Sequence, residues 1–424
     1  EFLKLMASEE VEATVIGEFS DDQRLKLFYE GNLVGDLDMG FLHHCLPQLK
    51  LKAEWRPPRH REPDFEPPTE PGSALVKILG DWNVCSKEWV IRQYDHEVQG
   101  SSVLKPLVGI NNDGPGDAAI IRPVLDSPRG VIVANGINPG YGDIDPYWMA
   151  ASAIDEALRQ IVAVGGDLDR VALLDNFSWG NVSQPQGLGA LVKAAQACHD
   201  MSLAYETPFI SGKDSLNNEF NSGGKTISIP HTLLISALAV MKDTAKAVSM
   251  DFKKAGDLIY IVGTTFKELG GSAYFKGNGF IGNDVPKVRP REAKRLMQAL
   301  SRATSKGLVS ACHDLSEGGL GVALAEMAFA GGLGASVKLK AVPLGEPTSR
   351  DDYILFSESN SRFLIAVAPE NKEGFEGVMA QVSFALIGEV NDSEILKIYG
   401  AAGNEVVNKP INELKEAWQR PLRW

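Results

Sequence analysis

No apolar run approaches the roughly 18–20 residues of a membrane-spanning helix, so no such span is expected. No GxxxxGK[ST] loop is present either, which sets a Walker-type NTPase aside. Cysteine is scarce: Cys45, Cys85, Cys198 and Cys312 stand far apart with no CxxC. That excludes a disulfide scaffold and points to a reducing, cytosolic compartment. Cys198-His199, Cys312-His313 and His43-His44 lack chelating spacing and read as core or surface residues. Positive charge is in short supply, with 42 Lys+Arg against 55 Asp+Glu and a net charge of -13. This argues against a sequence-independent nucleic-acid binder, but it leaves room for a nucleotide held through divalent metal and backbone amides. The chain opens Glu1-Phe2-Leu3-Lys4, with no Met and no signal peptide, and is expected not to start at its natural beginning. What is there is ample: 424 residues, 44% of them hydrophobic, enough for at least two cores.

The chain repeats itself. Ile16-Gly17-Glu18-Phe19-Ser20-Asp21, then Leu25-Lys26-Leu27, is echoed by Ile387-Gly388-Glu389-Val390-Asn391-Asp392, then Leu396-Lys397-Ile398, at a constant offset of 371 residues. Each copy reads strand, polar turn, strand. The second copy closes a long α/β segment, whereas the first arrives within 20 residues of the start. The expectation is therefore the tail of one domain followed by a complete second copy of a larger unit.

Composition divides the chain further. Residues 1-55 hold the orphan strands, and 56-72, from Arg56-Pro57-Pro58 to Glu70-Pro71, form a Pro-rich extended linker. Globular segments follow at 73-247 and 248-424. Helices are expected at about 147–164, 187–201, 291–303, 319–330 and 372–381. Strands are expected at Val131–Ala134, Val171–Leu174, His231–Met241, Leu258–Gly263 and Phe363–Val367. Strands and helices mix throughout, giving an α/β (α+β) class.

Three loops carry candidate chemistry. Asn111–Ala119, with Gly116 and Asp117, is either a solvated turn or a loop whose backbone nears phosphate while its carboxylates hold Mg²⁺. Asp175-Asn176 ends a buried strand, where α/β proteins place ligands; a capping or Asx-turn role is the alternative. Ser211-Gly212-Lys213-Asp214-Ser215, at another strand end, combines close approach, a cation, a metal-binding carboxylate and a hydroxyl. In His313-Asp314-Leu315-Ser316-Glu317-Gly318-Gly319, Ser316 is read as a helix cap. A literal GxGxxG at Gly277–Gly282 follows no clear strand and opens no helix, so a dinucleotide fold is set aside.

Taken in order, these loops resemble the formylglycinamidine ribonucleotide synthetases, ATP-dependent amidotransferases of purine biosynthesis. Their superfamily includes aminoimidazole ribonucleotide synthetase and selenophosphate synthetase. The resemblance covers nearly the whole chain and adds Gln93–His96, Val103–Pro106, Trp179-Gly180-Asn181, Glu268–Ser272 and Asp314–Leu320. It implies a synthetase-like N-terminal-type α/β domain at 73-247, a C-terminal-type domain at 248-424, and the end of a preceding C-terminal-type domain at 1-55. Asp175 and Gly212 match ATP-contacting positions and Ser215 a substrate-contacting one. The metal ligand falls at Lys213, where the small form of the enzyme has Asn, or at Asp214, as the large form suggests. Gly116, Asp117, Asp314 and Glu358-Ser359-Asn360 would be second-copy counterparts of active-site loops, forming a site that holds nucleotide without turnover. No catalytic residue is expected here, because the catalytic histidine loop belongs to the first synthetase half; His96 stands as a relic of a catalytic position. ATP and Mg²⁺ are the implied cofactors, and that first half and a separate glutaminase subunit the implied partners. The 73-242 sheet face would offer a homodimer contact. The chain would be inactive alone; the alternatives are a non-catalytic nucleotide-binding half or another synthetase or kinase of the superfamily.

Overall fold

Glu30 and Gly31 both take positive φ, 47° and 77°, the geometry of a two-residue hairpin turn. Arg24–Tyr29 (β1) accordingly pairs antiparallel with Asn32–Asp38 (β2). A helix, Phe2–Ser8 (α1), precedes the hairpin. A second, Met39–His44 (α2), follows it and is capped by Asp38 Oδ1 accepting from the Phe41 N–H at 2.9 Å. The computed structural model describes residues 1–424, apart from the Val98 side chain, and they form two units, Glu1–Leu51 and Lys52–Trp424.

The repeat is visible as structure. Lys372–Met379, Ile395–Tyr399, Glu405–Pro410 and Ile411–Gln419 reproduce helix, hairpin and helix near the other end of the chain. The two hairpins even share a register irregularity, between Leu27 and Phe28 in one and between Ile398 and Tyr399 in the other. The expected strand at Ile16–Phe19, before the polar turn, does not form. Its counterpart, Phe384–Asn391, is a strand because neighbours on both sides satisfy its backbone; residues 1–51 contain no such neighbours. Burial differs in the same way. Phe19 is 108% exposed and Leu27 51%, whereas their counterparts Val390 and Ile398 are both 0% exposed.

In the second unit, residues 56–70 carry no regular helix or strand, and the His60 N–H donates to Asn283 Oδ1 at 2.8 Å. Pro71–Leu79 (α3) begins inside the stretch read as linker, because proline suits a first helical position. Ser102–Leu104 (β3), Ala119–Ile121 (β4), Gly130–Ile137 (β5), Val171–Ser178 (β6), Phe209–Ser215 (β7) and Thr232–Met241 (β8) form a six-stranded sheet in the order β3-β4-β5-β8-β6-β7. Only β6 and β7 pair in parallel. Pro146–Ala163 (α4) and Pro185–Tyr205 (α5) cover one face. There Met149, Ile154, Leu158 and Ile161 pack with Ile132, Leu173 and Ile235. The other face leaves Ile121, Val133 and Val240 exposed.

Leu258–Val262 (β9), Ala311–Asp314 (β10), Gly334–Lys338 (β11), Phe363–Val367 (β12), Phe384–Asn391 (β13), Ile395–Tyr399 (β14) and Glu405–Pro410 (β15) form a seven-stranded sheet, ordered β10-β12-β9-β13-β11-β14-β15. β13 and β14, consecutive in sequence, are separated by β11 and do not pair. Both faces of β9 are buried: Tyr260 and Val262 join the core of the first sheet, Ile259 and Ile261 a second core. That is why its run is continuously apolar. Pro290–Ser305 (α6), Gly319–Gly331 (α7), Lys372–Met379 (α8) and Ile411–Gln419 (α9) complete the unit. The shared first core runs through 73-247 and 248-424 without interruption. Among the described residues, no helix is long and apolar enough to cross a membrane.

Candidate functional site

The Ser211–Ser215 motif is not a loop beyond a strand; it is the strand β7. Its parallel register sets Gly212 beside Asp175, Lys213 beside Asn176, and Asp214 beside Phe177. Side chains alternate between faces, so Asp175, Gly212 and Asp214 share the helix-covered side, while Asn176, Lys213 and Ser215 share the open side. Lys213 Nζ hydrogen-bonds Ser215 Oγ. The absence of a side chain at Gly212 is essential, because a Cβ there would lie 2.1 Å from Asp175 Oδ1. Asp175 Oδ1 and Asn176 Oδ1 are buried without a hydrogen-bond partner, a costly arrangement unless a ligand donates to them. Burial, then the Asp214 charge, pushes the Asp175 carboxyl above the ordinary range, opposed by the Lys213 backbone N–H. Burial and the Asp175 charge also push the Cys198 thiol up to about 12. Gly212→Ala is expected to push the Asp175 carboxylate out of its present rotamer at a cost of about 0.5–1.5 kcal/mol; a thermal melt unchanged from the parent would contradict the contact.

A second cluster is acidic and buried. A pocket of about 170 Å³ is lined by Gly116, Asp117, Glu156, Gln160, His313, Asp314, Ser316, Glu317 and Glu326. Helix α4 delivers Glu156 and Arg159 from an otherwise apolar length of chain. Arg159 donates to Asp314 Oδ2 at 3.1 Å, to the Leu315 carbonyl at 3.2 Å and to Ser316 Oγ at 3.1 Å, and it also pairs with Asp155. His313 bridges Asp117 Oδ1 at 2.7 Å and Glu326 Oε2 at 3.0 Å. Burial alone would lower its pKa, but the two carboxylates outweigh burial and raise it well above the usual value, and both ring nitrogens are engaged. Asp117 Oδ2 is buried and unpartnered.

Asp117, His313 and Asp314 offer ligand atoms within 4.8 Å of one another. Both His313 nitrogens are turned to carboxylates, which leaves carboxylate oxygens as the donors a cation would meet. The carboxylates of Asp117 and Asp314 are hard donors suited to Mg²⁺, and Glu156 and Glu317 line the same pocket. Burial, followed by the Asp314 charge, raises the Glu156 carboxyl to about 7, while burial with Glu156 and Glu358 raises that of Glu317. A carboxyl raised in the folded state stabilises fully below its unfolded value, near 4.5, and loses that contribution as pH climbs through about 7. Mg²⁺ binding here must displace those protons. It is expected to tighten steeply between about pH 5.5 and 8 with proton release, read by calorimetry in buffers of different ionisation enthalpy. A pH-independent affinity would contradict the assignment.

The structure thus brings Gly116, Asp117 and Asp314 to one pocket, and Asp175, Gly212, Lys213, Asp214 and Ser215 to one pair of strands. Ser316 does not cap α7; Gly318 occupies that position, because Ser316 Oγ is committed to Asp314 at 2.7 Å. Glu358 lies buried beneath the pocket wall, accepting from Tyr141 at 2.7 Å and from the Gly318 and Ala273 amides at 2.8 and 2.9 Å. His96 lines a separate hollow of about 250 Å³ with Arg92 and Lys105. Sequence reasoning missed Glu156, Arg159, Gln160, Glu317 and Glu326. The available signal was Asp155, Glu156 and Arg159, the charged residues of an 18-residue apolar helix, since buried charge is rare unless paired or functional.

Residues 254–400 match the family model described as AIR synthase related protein, C-terminal domain. The chain is 34% identical over 427 residues to phosphoribosylformylglycinamidine synthase subunit PurL of Methanocaldococcus jannaschii, covering 99% of this chain and 55% of that protein. It is 32% identical to the subunit of the same name in Alkaliphilus metalliredigens, covering 97% of this chain and 54% of that one. Among solved structures, T. maritima PurL complexed with FGAR superposes with a TM-score of 0.62 at 21% identity, covering 83% of this chain and 54% of that one. The complex of the same protein with AMPPCP gives 0.60 at 18% identity, covering 83% and 52%. The structures establish the fold, and the chain spans about half the length of the curated relatives it matches. Residues 254–400 belong to the AIR synthase related C-terminal domain family, and the chain matches, over nearly its whole length, about half of the PurL subunits of phosphoribosylformylglycinamidine synthase.

Proposed function

We propose that this chain supplies one half of a composite site that forms formylglycinamidine ribonucleotide from formylglycinamide ribonucleotide, ATP and ammonia. In this reading Asp175 and the Gly212 backbone contact ATP, and Ser215 contacts the amide substrate. The face-sharing of Asp214 with Asp175 favours Asp214 as the metal ligand. It leaves Lys213, beside Ser215, to neutralise charge on a phosphate. Mg²⁺ would offset charge on the transferred phosphoryl, the usual main source of acceleration in such transfers. The observation that carries the reading is the pair of buried, unpartnered oxygens on Asp175 and Asn176 beside a glycine with no room for a Cβ.

The acidic pocket favours a companion role: a metal-nucleotide held by Asp117, Glu156 and Asp314, locked between α4 and β10, that organises the fold without turning over. The histidine-bearing half and an ammonia-supplying glutaminase would come from partners, in a cytoplasmic setting. The exposed apolar face carrying Val133 and Val240 would pair with a matching sheet, either that half or a second copy. A strictly monomeric light-scattering profile of the isolated chain at micromolar concentration would count against that face.

Titration of Mg·AMPPCP into the intact chain tests the nucleotide assignments. Asp117→Asn should remove the tighter binding event and Asp175→Ala weaken a separate one. Binding unaffected by either substitution would overturn both.

A further inference from the structure

The Pro-rich stretch before α3 carries no regular structure, yet it is gripped twice in the same manner. Gln186, in the first turn of α5, accepts the Arg56 N–H at 3.1 Å and donates back to the Arg56 carbonyl at 2.7 Å. Asn283, ahead of α6, treats His60 likewise: its Oδ1 accepts the His60 N–H at 2.8 Å and its Nδ2 donates to the His60 carbonyl at 2.9 Å. One side-chain amide thus takes both backbone groups of one residue, once from segment 73-247 and once from 248-424. Between the two clamps stand Pro57 and Pro58. Proline fixes its own φ and restricts the residue before it, so the rod between the clamps is stiff.

Each end has further anchorage. The Glu54 N–H donates to the Pro185 carbonyl at 2.9 Å. Gly189 lets the strap lie directly on α5, since a Cβ there would stand 2.4 Å from the Glu54 carbonyl oxygen. Beyond the rod, the Phe65 ring packs edge-on against Tyr274 and Phe275, and the Phe65 carbonyl accepts from Arg350 at 3.2 Å. A flexible connection needs none of these contacts.

The near clamp leads toward the strand pair. Gln186 adjoins Gly187, whose carbonyl accepts from the indole N–H of the fully buried Trp179 at 3.0 Å. The Trp179 backbone N–H donates in turn to the Ser215 carbonyl at 2.7 Å. A continuous series of contacts therefore runs from the strap, through the first turn of α5 and Trp179, to the end of β7.

We infer that Gln186 and Asn283 are positioning residues for Ser215. The strap is a brace that fixes the first turn of α5 against the segment before α6, and through Trp179 it sets where Ser215 meets the amide substrate. This role rests on the reading of Ser215 under the proposed function. The two clamps act in series, so releasing either one releases the brace, and the pair behaves as one unit.

Two measurements test it. Trypsin cuts after Arg59 and Arg61, inside the strap. In the intact chain, Gln186→Ala and Asn283→Ala should each speed that cleavage about tenfold. In the complete synthetase, each should lower kcat/KM for formylglycinamide ribonucleotide about tenfold while KM for ATP stays within about twofold. The double variant should be no worse than the worse single one, whereas two independent structural losses would multiply. Gln186→Glu, which keeps the acceptor for the Arg56 N–H, should recover part of the loss. Ser215→Ala, run alongside, tells the failures apart. If it costs nothing, the substrate reading falls and this role with it; if it is severe while the strap variants are silent, the brace alone is overturned. Unchanged cleavage, or losses that multiply in the double variant, would also overturn the brace.

Discussion

Arg159→Met should cost about 3–5 kcal/mol of folding stability, the largest effect expected of any single substitution in this chain. Arg159 is the one guanidinium shared among Asp155, Asp314 and the Ser316 loop, with side-chain exposures of 3%, 0% and 5% for Arg159, Asp155 and Asp314. Removing it leaves two carboxylates facing each other across a desolvated space already crowded by Glu156 and Glu317. A methionine of similar volume fills the gap without answering the charge. The loss should shrink in acid, where the orphaned carboxyls protonate, and in millimolar Mg²⁺ if the pocket is a cation site. Denaturant unfolding at pH 5 and pH 8, with and without Mg²⁺, reads all three effects. A variant as stable as the parent at pH 8 would show that the network is not what holds α4 to the β10 loop.

The second large effect is on chemistry. In the complete synthetase, Asp175→Ala should lower turnover by about 10²–10³-fold while leaving the melting curve nearly unchanged. Its Oδ1 is a buried acceptor with no partner, so its removal relieves a desolvation penalty. Retained turnover in this variant would favour the alternative in which the chain is a nucleotide-holding scaffold alone. Asp214→Ala should follow Asp175→Ala, and Lys213→Ala should act chiefly through the amide substrate, because strand alternation separates the two residues.

How much of this could be read beforehand depended on the range of the interactions. The apolar runs at Leu258–Val262 and Phe363–Val367 and the amphipathic helices announced themselves locally, through period and length. The orphan hairpin was legible because duplication left the same residues in two places. The absence of a strand at Ile16–Phe19 was not, since β propensity there depends on neighbours the segment does not have. β7 reads as a turn motif, Ser-Gly-Lys-Asp-Ser, yet lies extended because β6 pairs with it residue by residue. The acidic pocket was half legible. Asp117 and Asp314 stood in recognisable loops, whereas Glu156 and Arg159 were hidden in a helix whose interest lies in what it packs against. Glu317 was passed over as part of a capping sequence, and His313 as a core residue, because only the fold reveals that Glu326 and Asp117 flank it.

The most direct measurement is ammonia-dependent formylglycinamidine ribonucleotide formation by this chain, first alone and then mixed with the synthetase half that carries the histidine loop. The account predicts no turnover from the chain by itself and restored turnover on mixing, abolished again by Asp175→Ala. Robust turnover by the chain alone, or restored turnover indifferent to Asp175, would contradict it.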